Sequence, residues 1–241
     1  MNIKQVLTGA TLLAASSVAM ASPINVGGVV WDPDSPLDFV SNGNTYESFA
    51  ANVGDTVTGF GVLTQFNGTL QNSYCPSCEL TFDFSFDLQS AIDLDGPGPG
   101  EAFSFNFDNV SVNVWVDNSP EYNQIAPSFA DAVDGDLFLQ LSGDSLSGFA
   151  NNLFNPANIL GSGSGFLDVI GGLAASNFDT NTKGNGNDLS FTSSFQPANL
   201  NVPGYPMFGS IDLAGNTIPE PASLALLGLG LLGMGRLRRK A

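Results

Sequence analysis

Residues 80–88 alternate without interruption: Leu80, Phe82, Phe84, Phe86 and Leu88 are apolar, with Thr81, Asp83, Ser85 and Asp87 between them. A period of two puts all five apolar side chains on one side of an extended chain. The segment is therefore expected to be a half-buried antiparallel strand, phenylalanines inward and carboxylates in water. Phe103, Phe105 and Phe107 repeat the pattern, and Val110, Val112, Val114 and Val116 continue it on the opposite parity. The slip at Asp108-Asn109 predicts a tight hairpin or a bulge.

Turn chemistry punctuates the rest. Asn67-Gly68 between residues 62–66 and 69–72 predicts a type I′ hairpin, because both central positions need positive φ. Asp134-Gly135 opens a strand at 136–141, a polar turn at 183–188 precedes a strand at 189–195, and the Gly/Pro run 96–100 must be a loop. Residues 145–154 and 167–175 have weakly helical spacing, enough for one short turn each. The 28 glycines and 14 prolines are scattered and there is no internal repeat. The fold class expected is all-β: a single antiparallel β-sandwich, jelly-roll-like, at 22–198, with a last strand and linker at 199–218.

Both ends read as processing signals. Lys4 and an apolar stretch lead to Ala19-Met20-Ala21, a small-x-small cleavage site that sets the mature start at Ser22, so residues 1–21 form a signal-peptide helix. Sec translocon and signal peptidase are the partners this implies. At the other end, Pro219-Glu220-Pro221 precedes an apolar run at 222–235 and the basic stop Arg236, Arg238, Arg239 and Lys240. Fourteen helical residues span about 21 Å, against roughly 30 Å of hydrocarbon. Ile218, Leu237 and snorkelling arginines bring this membrane helix closer to a span, with the basic tail cytoplasmic.

The order of these three parts in 219–241 resembles the PEP-CTERM sorting signal of Gram-negative bacteria. That resemblance implies recognition by an exosortase, a membrane-embedded, transpeptidase-like cysteine enzyme, with cleavage near Pro219, Glu220 and Pro221. It also implies a cell that makes exopolysaccharide. The body resembles a β-rich group of exported PEP-CTERM proteins, on residues 165–169, 177–182 and 188–195. That second likeness carries no catalytic residue.

Between the signals, Lys183 is the only Lys or Arg, set against 22 of the 23 acids, a formal charge of −21. Nucleic acid is excluded as a partner, because its binding rests on Lys and Arg. The chain has no histidine, so His-based relays and His-ligated zinc are excluded too. Cys75-Pro76-Ser77-Cys78 leaves three readings: a structural disulfide, a redox pair or a metal site. A strand beginning at Glu79 in place of a helix N-terminus disfavours the second, and the lack of further ligands the third. No cofactor is expected beyond calcium, for which Asp93, Asp95 and Glu101 form one candidate cluster and Asp131, Asp134 and Asp136 another. Asp32 with Asp34 is a weaker third.

The function expected is that of an exported, non-catalytic structural or interaction protein. It would pass through an inner-membrane intermediate to the cell surface or exopolysaccharide matrix. The alternative is a calcium-dependent carbohydrate-binding module with Trp31, Tyr46 or Trp115 as stacking platform. A carboxylate glycoside hydrolase using Asp93 and Glu101 ranks below both, since alternation sends the strand carboxylates to solvent.

Overall fold

The computed structural model describes residues 22–33, 39–96 and 102–218. The sorting residues (219–221 and 236–240), the cleavage residues Ala19 and Ala21, both terminal helices, Asp34, residues 97–100 and Glu101 lie outside them. The described residues form twelve strands: β1 (Ile24–Val26), β2 (Val29–Trp31), β3 (Phe39–Glu47), β4 (Thr56–Phe66), β5 (Thr69–Leu70), β6 (Glu79–Asp93), β7 (Ala102–Asp117), β8 (Asp136–Gly143), β9 (Leu146–Asn151), β10 (Leu160–Gly171), β11 (Leu189–Val202) and β12 (Tyr205–Gly215). Single-turn helices α1 (Gln71–Tyr74), α2 (Phe129–Ala132) and α3 (Ala175–Phe178) sit in the connections.

The strands run β3, β4, β6, β7, β8/β9, β10, β11, β12, each antiparallel to the next, and β12 pairs back to β3. β8 and β9 lie end to end between β7 and β10, one strand path bent at Asp144-Ser145. The expected all-β antiparallel sandwich is thus present with its two faces joined along both sides, which closes it into a barrel of eight strand positions. Such a barrel is just wide enough to be filled by side chains and leaves few unpaired edges. Its connections are those of a meander, where a jelly roll would cross over.

The alternation in β6 and β7 fills this interior. Leu80, Phe82, Phe84, Phe86 and Leu88 are all buried, as are Phe103, Phe105, Phe107 and the four valines of β7. Phe84 and Phe86 stack at 5.0 Å between ring centres, and Phe107 meets Phe86 edge-on at 4.6 Å. Room for these rings comes from glycines directly opposite, with Gly59 paired to Phe84 and Gly61 to Phe82. The parity slip is a bulge within one continuous strand. Ser85 opposes Ser111 and Asp87 opposes Asp108, leaving Asn109 and Val110 against Phe86 alone, with Asn109 at φ +50°. Phe107 and Val110 can both face inward as a result. The type I′ hairpin forms as expected, with Asn67 and Gly68 at φ +49° and +73°.

Two short helical readings are corrected. Residues 146–151 are strand β9, hydrogen-bonded along both edges to β7 and β10, and that pairing outweighs a weak helical spacing. Residues 167–171 finish β10, and the helical turn comes later, as α3.

One end of the barrel is plugged by the β1–β2 hairpin. Trp31 stacks on Phe178 at 5.3 Å and meets Phe66 and Phe138 edge-on. A disulfide joins Cys75 and Cys78, both buried beside this plug. Because it closes a loop of only a few residues, its reduction should cost about 2 kcal/mol or less. A melting temperature only a few degrees lower in reducing buffer would check this. The described chain also leaves at the plugged end: Thr217 is buried and the Ile218 N–H donates to Asn177 O near α3. β12 lies between β11 and β3, so residues up to Gly215 belong to the barrel. Only 216–218 lead out of it.

Candidate functional site

Strand register, read across the barrel's outer face, gives two parallel rows of small polar side chains. One runs Ile92, Ser104, Phe149, Ser162, Ser194, Ser210, Asn44; the other runs Ser90, Asn106, Ser147, Ser164, Thr192, Asp212, Asn42. Steps along a row are one strand spacing, about 4.8 Å. Asp212 is the only ionisable side chain in either row. It accepts hydrogen bonds from Asn42 Nδ2 and from Thr192 Oγ1 (3.5 Å), and the Ser194 and Ser210 hydroxyls lie 2.9 Å apart. The face forms a shallow depression, with Phe149 and Ile92 strongly exposed (66% and 60%) as its apolar members. In an acidic chain, an almost uncharged surface rich in hydroxyls is suited to neutral or anionic polyols.

The calcium candidates are placed otherwise. Asp93 Oδ1 accepts the N–H groups of Asp95 and Gly96, and Asp95 Oδ1 accepts that of Ala102, so these carboxylates close the β6–β7 connection. Asp131 lies in α2 and Asp136 begins β8. Asp134 shares a hydrogen bond with the Glu121 carboxyl, which holds Glu121 above its ordinary pKa. Among the described residues, no three Asp, Glu or Cys side chains come together closely enough to hold a metal ion.

Two of the three stacking candidates are corrected. Trp31 and Tyr46 are buried, Trp31 in the plug and Tyr46 in a satellite cluster with Phe60 and Phe208. Trp115 faces outward as alternation requires but is half-buried, its Nε1 donating to Asp83 Oδ1 at 2.6 Å. Phe149 is the most exposed aromatic of the segment 145–154, which the helical reading concealed.

Alternation also hid three buried acids, Glu47, Glu79 and Asp188, and the half-buried Asp168. Glu79 Oε1 accepts the N–H groups of Glu121 and Tyr122, and burial raises its pKa despite them. Asp188, fully buried, accepts those of Val169, Thr180 and Asn181 and so pins the 179–182 loop. Asp168 is raised by burial and by its hydrogen bond to Asp188. Glu47, at the end of β3, is buried with its Oε1 unpaired. No sequence signal marks it, because it follows a polar strand.

Residues 217–240 match the family described as the PEP-CTERM protein-sorting motif. The chain carries a PEP-CTERM sorting signal. The match spans about a tenth of the sequence and makes this an exported, exosortase-sorted protein. No curated protein and no solved structure matches the chain.

Proposed function

We propose that this PEP-CTERM protein is a non-catalytic component of the cell surface or extracellular matrix, holding polysaccharide along the two hydroxyl rows of its barrel. The observation that carries this reading is the rows themselves. They repeat at the strand spacing across seven strand positions, and a repeating ladder of donors and acceptors suits a repeating polymer. Phe149 and Ile92 offer apolar contact to the C–H faces of sugar rings. The near absence of charge spares an anionic polymer the repulsion it would meet elsewhere on the surface.

Affinity electrophoresis of the purified full chain through gels containing the host's own extracellular polysaccharide tests the reading. Retardation is expected, and Phe149→Ala should weaken it about tenfold, the scale of one exposed aromatic contact. A second variant, Ser162→Glu with Ser164→Glu, should abolish binding of an anionic polymer by like charge. Unretarded wild-type protein, or variants that migrate like it, would remove the proposal. Intact-mass analysis of cell fractions checks the sorting. A species beginning at Ser22 and ending near Pro219, Glu220 and Pro221 is expected outside the cell, and one retaining Arg236, Arg238, Arg239 and Lys240 in the membrane would mean a plain anchor.

A further inference from the structure

We propose that the barrel interior beside Glu47 binds a small organic cation, an amine whose ammonium pairs with the Glu47 carboxylate while its carbon body lies among phenylalanine rings. The inference is independent of the polysaccharide reading and concerns the opposite side of the sheet.

The inward face of β3 is polar: Ser41, Thr45 and Glu47 are all buried. Ser41 Oγ donates to Leu213 O and Thr45 Oγ1 to Phe60 O. Glu47 is the exception, with Oε1 buried and without a hydrogen-bond partner. A polar atom taken from water and left unpaired is costly, and a carboxylate more so. Its neighbours across the sheet, Gly59 on β4 and Met207 on β12, offer no donor side chain.

Glu47 borders a cavity of about 40 Å³, lined by Phe86, Phe105, Phe107, Phe195 and Met207, with Ser48 and Ser193 its hydroxyl-bearing residues. That volume exceeds the one-water minimum of about 10–15 Å³ and falls well short of the roughly 150 Å³ that holds a benzene ring, so the space suits an amine of one or two carbons. Glu47 is the only ionisable side chain in the lining. Ring centres of Phe105 lie 5.2 Å from Phe107 and 5.8 Å from Phe195, and those of Phe86 and Phe107 4.6 Å apart. One carboxylate within a group of ring faces is the complement of an ammonium ion with an apolar body. Lys183 is the only Lys or Arg among the described residues and is absent from this lining, so no described residue supplies the counter-ion. The net negative field draws cations and repels acids, which disfavours a carboxylic ligand. Residues 48–50, Leu153 and Ile159 complete the lining.

Titration calorimetry of the full chain at pH 7 with methylamine, and with methanol as its neutral isostere, tests the assignment. Methylamine should bind at least tenfold more tightly than the alcohol. Glu47 ionises on pairing, so the observed heat should change with buffer ionisation enthalpy in the sense of proton release. Glu47→Gln, which keeps the shape and the fold, should lose tenfold or more in amine affinity together with the proton release, while Glu47→Asp should retain part of both. No heat up to tens of millimolar methylamine, equal affinity for the alcohol, or undiminished binding by Glu47→Gln would each overturn the proposal.

Discussion

Alanine at position 61 should cost the barrel about 3 kcal/mol, the upper range for overpacking a filled interior. A Cβ on Gly61 would stand 1.9 Å from Asn44 O and 2.7 Å from Phe82 Cζ. The first contact is with backbone of the neighbouring strand, which cannot swing aside without breaking the β3–β4 ladder. The second is with a ring held by its stack on Phe84. For a domain of this size the loss corresponds to a fall in melting temperature of about 6–12 °C. Gly61→Val should leave little soluble protein. Ser164→Ala, on the exposed face, should stay within about 0.5 kcal/mol. Urea unfolding of the three variants reads this directly. A Gly61→Ala protein as stable as wild type would mean that β3 and β4 are not packed as closely as described.

The same glycines explain how much of the fold was legible. Alternation in β6 and β7 named their buried residues because each phenylalanine or valine is large and its neighbours are polar. β3 escaped notice because its inward face carries Ser41, Gly43, Thr45 and Glu47, which a binary pattern assigns to water. β10 is similar: Gly161, Gly163 and Gly165 point inward, opposite Ser162 and Ser164. The absent volume on these strands is filled by Phe82, Phe84, Phe105 and Phe195 from other strands. Inward small residues are the complement of the phenylalanine row, so one half of the packing is visible in sequence and the other is visible only once the strands are paired. Closure of the barrel depends on β12 meeting β3, a contact between residues some 170 positions apart, and no local signal encodes it. The outer rows became legible only with register, since each strand contributes just two of their members, one to each row.

Stability of the barrel should fall as pH rises from about 4.5 to about 8, and Glu47 is the main reason. Burial lifts its pKa to about 8 from an unfolded value near 4.5. Between those values the folded protein keeps a proton that the unfolded chain has lost, so unfolding releases protons and the slope of stability with pH is negative. The full contribution is present below the unfolded pKa and is gone above the folded one. Burial also raises Glu79, and burial with the Asp188 hydrogen bond raises Asp168, so both add to the slope with the same sign. Asp87, lowered by hydrogen bonds from Thr56 and Asn109, acts in the opposite sense but is exposed. For Glu47 alone, a shift of this size amounts to a few kcal/mol, at 1.36 kcal/mol per unit of pKa. Glu47→Gln should therefore flatten the pH profile and leave the variant more stable than wild type at pH 8.5 by an amount of that order, while the two converge near pH 5. Melting temperatures from pH 4.5 to 9 decide the matter. Parallel profiles for the two proteins would place the Glu47 carboxyl in contact with water, and would remove the unpaired buried acid on which the interior site depends.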